Sequence, residues 1–395
     1  MKITHIHIER FRGFQNEDFE VGSLLTAIAG QNGTQKSTLL GIITQTFTLK
    51  TEDSMRVEKP LCGGSYISAF KDKFRLSPTF DKPKGHEWTI SFDAGMDDFT
   101  VESIKRTGDP NVRFWKKGAR QEGDGYISFP TIFLSLKRLV PVAEEAKIIT
   151  DDTLLTQEEL NEFKQLHNKI LIAQTPISSA TTITSKNKQS IGVSTELYDW
   201  NQNSMGQDNL GKIILALFSF KRLHDKYPRQ YKGGILAIDE MDATMYPASQ
   251  VELLKVLRKY ASKLNLQILF TTHSMSLLKA MDDLVQEVTK KEETANQAKI
   301  LYLKKVDDKI AIKQGVNFKG IQLDLNVVAE GNNRKKNRIT AYTEDKENIL
   351  FVKAILKSKA FVLDFVDVTL PCSTLMELVT KRVPAFIYPY SIVIL

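Results

Sequence analysis

The sequence predicts an α/β protein. Its core is a mixed sheet, joined to an antiparallel β region and a helical insertion, with a second, smaller α/β segment after it. Three observations predict this. The apolar run "SLLTAIAG" ends in glycine and is followed at once by helical periodicity in "KSTLLGIITQTF", a strand–turn–helix unit. "EWTISFDAG" and "FTVESIKRT" alternate apolar and polar between Gly, Asp and Pro turns, as antiparallel strands do. "GGILAIDE" and "LQILFTTH" are apolar runs that stop abruptly at acids and at a histidine, as buried strands with functional ends do.

The chain has 395 residues, 42% hydrophobic and 26% charged, enough to bury a core. It contains no apolar run long enough to span a bilayer, so no membrane partner is expected. The start "MKITHIHIERF" alternates like a strand and lacks the apolar core of a signal peptide. Only two cysteines occur, Cys62 and Cys372, and they read as reduced thiols of a cytoplasmic protein. The net charge of +7 permits a nucleic-acid partner without requiring one.

Along the chain, "ITHIHIERFRGF" reads as strand and turn, and residues 25–44 as strand, turn and helix. Residues 61–130 read as the antiparallel region, closed by a buried strand in "YISFPTIFLSLKRLVPV". Residues 151–195 read as a helical insertion: an amphipathic helix to about 174, capped by Thr156 with Glu159 three residues on, then a Ser/Thr-rich loop. His167 in that helix is expected to face solvent. A second α/β block runs from about 197 to 320. Residues 321–338, with the run "GNNRKKNR", read as a basic linker, and 339–395 as the second α/β segment.

The turn "GQNGTQKSTLL" nearly matches G-x-x-x-x-G-K-[ST], the pattern that cradles phosphate between a strand and a helix N-terminus. Gly30, Lys36 and Ser37 sit where that pattern wants them. Lys36 would reach the β- and γ-phosphates, Ser37 would ligate Mg²⁺, and Gly33 keeps a side chain clear. Gln35 stands where the second glycine belongs. If that position needs a positive φ, a non-glycine residue costs about 1 kcal/mol there.

Downstream, Asp239 and Glu240 follow the strand run 235–238. An acid pair so placed suits Mg²⁺ binding at Asp239 and activation of a water by Glu240. His273 lies just past the end of another strand, where it can touch a γ-phosphate. "NSMGQDNLGKIILAL" starts a helix with Ser and Gly amides, a second anion site. No Ser-His-Asp or zinc spacing appears, and "RKKNR" reads as a solvated run.

Together these pieces resemble the ABC-type ATPase heads of the SMC/RecF group over residues 1–320. The resemblance implies an ABC-ATPase head, with ATP and Mg²⁺ as cofactors and a P-loop of Gly30, Asn32, Gly33, Thr34, Gln35, Lys36, Ser37 and Thr38. It places Arg12, in "IERFRGFQNEDFEV", in the basic nucleotide-binding position. It makes Ser37 and Asp239 the metal residues and Glu240 and His273 the catalytic ones. Asp242 falls in the D-loop. "SMGQ", that is Ser204, Met205, Gly206 and Gln207, is similar to the signature that completes the site of a second head. Met205 and Gln207 depart from the usual L-S-G-G-E. A homodimer or higher homo-oligomer through the heads is implied.

The chain shows no heptad arm. It looks closest to the OLD (overcoming lysogenization defect) ATPases and to Septu-type anti-phage subunits, including retron-associated ones; "FLSLKRLVP" resembles a segment of those heads. That likeness implies ATP-dependent head pairing and an anti-phage defence role. The departure at Gln35 suits a slow switch, the incomplete set of nuclease acids suits control of a separate HNH-type nuclease, and DNA or retron msDNA is a further partner to expect. "RITAYTEDKENILFVKAIL" resembles the opening of a TOPRIM domain, with Glu344 at the metal-binding acid and Asp345 in place of a glycine. No later Asp-x-Asp pair follows, so a partial or degenerate TOPRIM-like segment is expected. Two other readings stay open: an OLD-type nuclease truncated at Leu395, and a nucleotide-dead clamp.

Overall fold

The computed structural model describes the chain except residues 67–72, 94, 106–111, 119–124, 141–146, 152, 174, 186–188, 331–338, 388–390 and 395. The chain divides into two compact units, Met1–Leu325 and Asn326–Leu395.

The first unit is built on a six-stranded sheet: β3 (Leu25–Gly30), β9 (Thr131–Leu134), β13 (Gly234–Ile238), β14 (Leu266–Thr271), β15 (Ala298–Val306) and β16 (Lys309–Gln314). Its order is β16-β15-β3-β14-β13-β9; all neighbours are parallel except the edge pair β15–β16. β13 and β14 are buried at every position, which is why they read as unbroken apolar runs rather than alternating ones.

Alternate residues of these strands feed two cores. Leu236 and Ile238 of β13, with Leu266, Ile268 and Phe270 of β14, pack on one side with α3 (Met205–Lys226), α4 (Pro247–Lys263) and α5 (Met275–Val288). Ile235, Ala237 and Leu269 face the other side, with α1 (Lys36–Thr44) and an antiparallel sheet. Each such Ile or Leu contributes roughly 2 kcal/mol by leaving water.

The antiparallel sheet has the order β2-β1-β5-β6-β7, from β1 (Ile3–Phe11), β2 (Phe14–Glu20), β5 (Glu87–Phe92), β6 (Phe99–Lys105) and β7 (Val112–Lys116). The region expected over 61–130 therefore narrows. Its antiparallel strands occupy 87–116 and are completed by the N-terminal hairpin. The short strand β8 (Ile127–Ser128) pairs in parallel with β4 (Phe47–Thr48), and β9 joins the central sheet.

The insertion also differs from expectation. α2 (Gln157–Leu171) has the predicted capping box between Thr156 and Glu159. The stretch read as loop holds two strands, β11 (Ser179–Thr184) and β12 (Gln189–Ser194), in a sheet with β10 (Ile149–Asp151). Threonine is β-branched and favours strands. Thr182 and Ile183 are buried here, so "SATTIT" is a half-buried strand, not a polar loop. His167 does not face solvent: it is 2% exposed, and burial pushes its imidazole down to about 4.

The expected linker begins as a helix, α6 (Phe318–Glu330), because "FKGIQLDLNVVAE" carries apolar residues at helical spacing. The basic run itself lies outside the described residues. The second unit has a three-stranded parallel sheet, β18-β17-β19, from β17 (Ile339–Thr343), β18 (Leu363–Phe365) and β19 (Ser391–Ile394). Its helices are α7 (Lys346–Leu356) and α8 (Cys372–Thr380).

Candidate functional site

Parallel strands place their chemistry at their carboxyl ends. Here Gly30, Asp239 and His273 all sit at or just past the ends of β3, β13 and β14.

The loop after β3 is held by backbone constraints. Gly30 has φ 152, and a Cβ on it would meet the Leu303 carbonyl oxygen at 2.5 Å. Gly33 has φ 80 with open space around it, so conformation rather than crowding calls for glycine there. Gln35 is left-handed, φ 61 and ψ 33, the conformation that the missing glycine would adopt freely. Its side-chain Oε1 is buried without a donor. Gln35 also makes no side-chain cap on α1, so the helix begins open to an anion.

Lys36 is 7% exposed, and its Nζ donates to the carbonyls of Gly30 at 3.1 Å and Gln31 at 2.9 Å. Burial lowers its pKa, while Glu240, Asp239 and Asp242 pull it back up. Thr34 ties the turn through its Oγ1 to the Gln31 carbonyl, 2.8 Å.

Ser37 Oγ donates to Asp239 Oδ1 at 2.8 Å, joining residues 202 positions apart. Thr271 Oγ1 donates to the same oxygen at 2.7 Å and accepts from the Glu240 amide at 2.6 Å. Two oxygens 2.8 Å apart fit an edge of the octahedron that Mg²⁺ demands, about 3 Å for bonds of ~2.1 Å. That length is also the ordinary one for a hydroxyl–carboxylate hydrogen bond, so the pair is compatible with Mg²⁺ without being specific for it. Glu240 has φ 51, a left-handed conformation that costs about 1 kcal/mol and turns the chain sharply off the strand. Asp242 accepts from the His273 amide at 3.3 Å. Burial lowers the His273 pKa, and Lys36 adds to that, so the ring favours its neutral form.

The stretch expected to be a second anion site opens α3. Ser204 is its N-cap, and Gln207 closes a capping box with it: Ser204 Oγ accepts from the Gln207 amide at 3.3 Å, and Gln207 Oε1 accepts from the Ser204 amide at 2.9 Å. Gln207 thus has a structural task. Gly206 packs so tightly that a Cβ would meet the Thr244 carbonyl oxygen at 2.5 Å. Met205 is 43% exposed.

Arg12 is the predicted residue that points elsewhere. Its guanidinium pairs with Asp81 (Nη2 to Oδ2, 3.1 Å) and donates to the Arg75 carbonyl at 2.7 Å. Its neighbour Gly13 lies against Gln35: a Cβ there would come within 2.8 Å of the Gln35 amide nitrogen.

Three participants were not singled out from sequence. Thr271 binds both acids as described. Arg138, 2% exposed, donates to the carbonyls of Asp239 and Glu240 and to Asn209 Oδ1, and burial brings its pKa down to about 10. Asn209 also donates to the Ala243 carbonyl at 3.0 Å. "FLSLKRLVP" contains Arg138, but nothing local marks it as a link to residues a hundred positions away.

Fold and site together define a parallel-sheet α/β core with an open helix start, a buried lysine and an acid pair gathered at the strand ends. Residues 136–278 match the model of a family described as an AAA ATPase domain. Among solved structures, the chain is similar to the SMC head domain from Thermotoga maritima, with 14% identity, a TM-score of 0.43, and 80% of this chain and 100% of that one covered. It is similar also to an SMC head domain with an extended coiled coil from Pyrococcus furiosus, at 13%, 0.45, 83% and 99%. The recombination mediator RecF is similar at 12%, 0.40, 80% and 98%. No curated protein matches the chain.

Proposed function

We propose that this chain is an ATPase head that binds ATP with Mg²⁺, hydrolyses it slowly, and pairs head to head with a second copy. The observation that carries this reading is the 2.8 Å bond from Ser37 to Asp239, which sets the loop lysine and the acid pair around one point. Lys36 releases the Gly30 and Gln31 carbonyls and holds the β- and γ-phosphates. The open start of α1 supports them with its amides, along the loop Asn32, Gly33, Thr34, Gln35 and Thr38. Ser37 and Asp239 hold Mg²⁺, which neutralises phosphate charge there. Glu240 takes the proton of the attacking water, and neutral His273 contacts the γ-phosphate. Ser204, Met205, Gly206 and Gln207 of the second copy close the site, with Asp242 in the D-loop between. Arg12, its guanidinium held by Asp81 and the Arg75 carbonyl, has no part in this reading.

The finer reading rests on sequence resemblance: a Septu-type, retron-associated anti-phage subunit in the cytoplasm that regulates an HNH-type nuclease, with DNA or msDNA as a further partner. Residues 339–395 then act as a degenerate TOPRIM-like scaffold. Glu344 gives that scaffold a structural contact: its carboxylate accepts from the Cys372 amide at the start of α8 at 3.2 Å.

The test is Mg-ATP binding by calorimetry beside Lys36→Ala, then turnover on the same samples. The variant should lose about 100-fold in affinity, the ~2.7 kcal/mol of charge-assisted bonds to phosphate. Retained affinity would sink the loop assignment.

A further inference from the structure

We infer that Arg138 is a positioning residue whose guanidinium ties the main chain of the acid pair to the opening turns of α3, so that the metal side of a head's own site and the surface it offers to a second copy move together. The inference rests on the ATPase reading above.

The contacts have an unusual character. Arg138 Nη1 donates to the carbonyls of Asp239 at 2.6 Å, Ser135 at 3.1 Å and Leu134 at 3.2 Å. Nη2 donates to the Glu240 carbonyl at 2.8 Å, and Nε to Asn209 Oδ1 at 2.7 Å. Every one of these acceptors is a neutral oxygen. A buried cation normally sits against a carboxylate; here the Asp239, Glu240 and Asp242 carboxylates act on it only through space, and its hydrogen bonds go to main chain and an amide. Geometry accounts for those bonds. Carbonyls of successive strand residues point opposite ways. The left-handed turn at Glu240 brings those of 239 and 240 to one side, where the planar fork takes both.

Asn209 is the other half of the link. It is fully buried, accepts from Arg138, and donates to the Ala243 carbonyl at 3.0 Å. It lies in the opening turns of α3, beyond Ser204. On the acid side, the Asp239 carboxylate takes the Ser37 and Thr271 hydroxyls. A ligand that pulls on Asp239 must therefore shift the 239–240 carbonyls, the fork, Asn209 and the helix start as one body. Such an unbroken chain of bonds is one physical form that coupling between sites takes.

The decisive measurement is amide hydrogen exchange at 30–37 and 205–209, with and without Mg-ATP. It is made at a dilution where sedimentation shows single copies. In the wild-type chain, Mg-ATP should slow exchange in both segments, by about tenfold at 205–209. In Arg138→Lys and Asn209→Leu, it should slow 30–37 alone. If Arg138→Lys does not fold, Asn209→Leu decides the matter, because it removes the acceptor for Arg138 Nε and leaves the bonds to the 239 and 240 carbonyls in place. Slowing at both segments in the variants overturns the link. So does slowing confined to 30–37 in the wild type. No slowing anywhere in the wild type overturns the ATPase reading first, and the link with it.

Discussion

Two helix starts face the same chemistry in opposite ways. α1 begins at Gln35, left-handed and without a side-chain cap. α3 begins at Ser204, extended and closed by a reciprocal box with Gln207. The first leaves its amides to a ligand; the second has two of its leading amides, those of Ser204 and Gln207, satisfied from within the chain. An anion can settle on α1 with only the lysine rearranging. To settle on α3 it must displace the Gln207 side chain, which also donates to the Tyr198 hydroxyl at 2.8 Å. Under the proposed function, the difference gives α1 the binding and α3 a later, conditional contact.

Four variants break or sharpen that comparison. The largest effect belongs to Glu240→Gln, which keeps shape and removes the base. Turnover should fall by about 1,000-fold, within the range for general-base catalysis, and Mg-ATP should hold two copies together in sedimentation. Single copies would mean the α3 start never meets a partner's phosphate.

Ser204→Arg comes next. It should cut turnover by about 100-fold, the scale of losing one transition-state donor, while affinity stays near wild type. An equal loss of affinity would erase the division of labour between the two starts.

Gln35→Gly removes the left-handed penalty and the buried, donorless Oε1. Thermal denaturation should show a gain of about 1 kcal/mol, with tighter Mg-ATP binding. A loss of stability would show that the Gln35 side chain supports the loop.

The smallest effect is expected of Gln207→Ala. Half the box is lost, costing about 0.5 kcal/mol in the same measurement. If pairing tightens as stability falls, self-capping is what holds α3 in reserve.

The open start was the easier one to read. Strand, turn, lysine and helix lie within residues 25–44, and the acids follow their strand directly, so local pattern sufficed. The unusual φ at Gln35 followed from the one departure in the motif. The closed start was harder, because its supports come from far away. Asn203 is pinned to β12 through both its amide atoms and the Val193 main chain, each 2.7 Å. β12 itself was hidden in a Ser/Thr-rich stretch whose threonines favour strand. Arg138 meets Asn209 across 71 positions, a distance no local periodicity reports. His167 was legible and misread: it lies four residues after Phe163 and three before Ile170, on the buried face of α2.

The close approach of Gly206 to the Thr244 carbonyl bears on which sequences this site could tolerate. Thr244 is left-handed at φ 67, so that turn has little freedom to retreat. In a library of single substitutions, position 206 should accept nothing, while its half-exposed neighbour Met205 accepts many residues. A methyl group at 206 would survive only with a second change at 244 that re-forms the turn, and that change would carry Asp242 with it. Under the proposed head pairing, drift at the α3 start is therefore tied to drift in the chain's own site, and the two would have to be inherited as a pair.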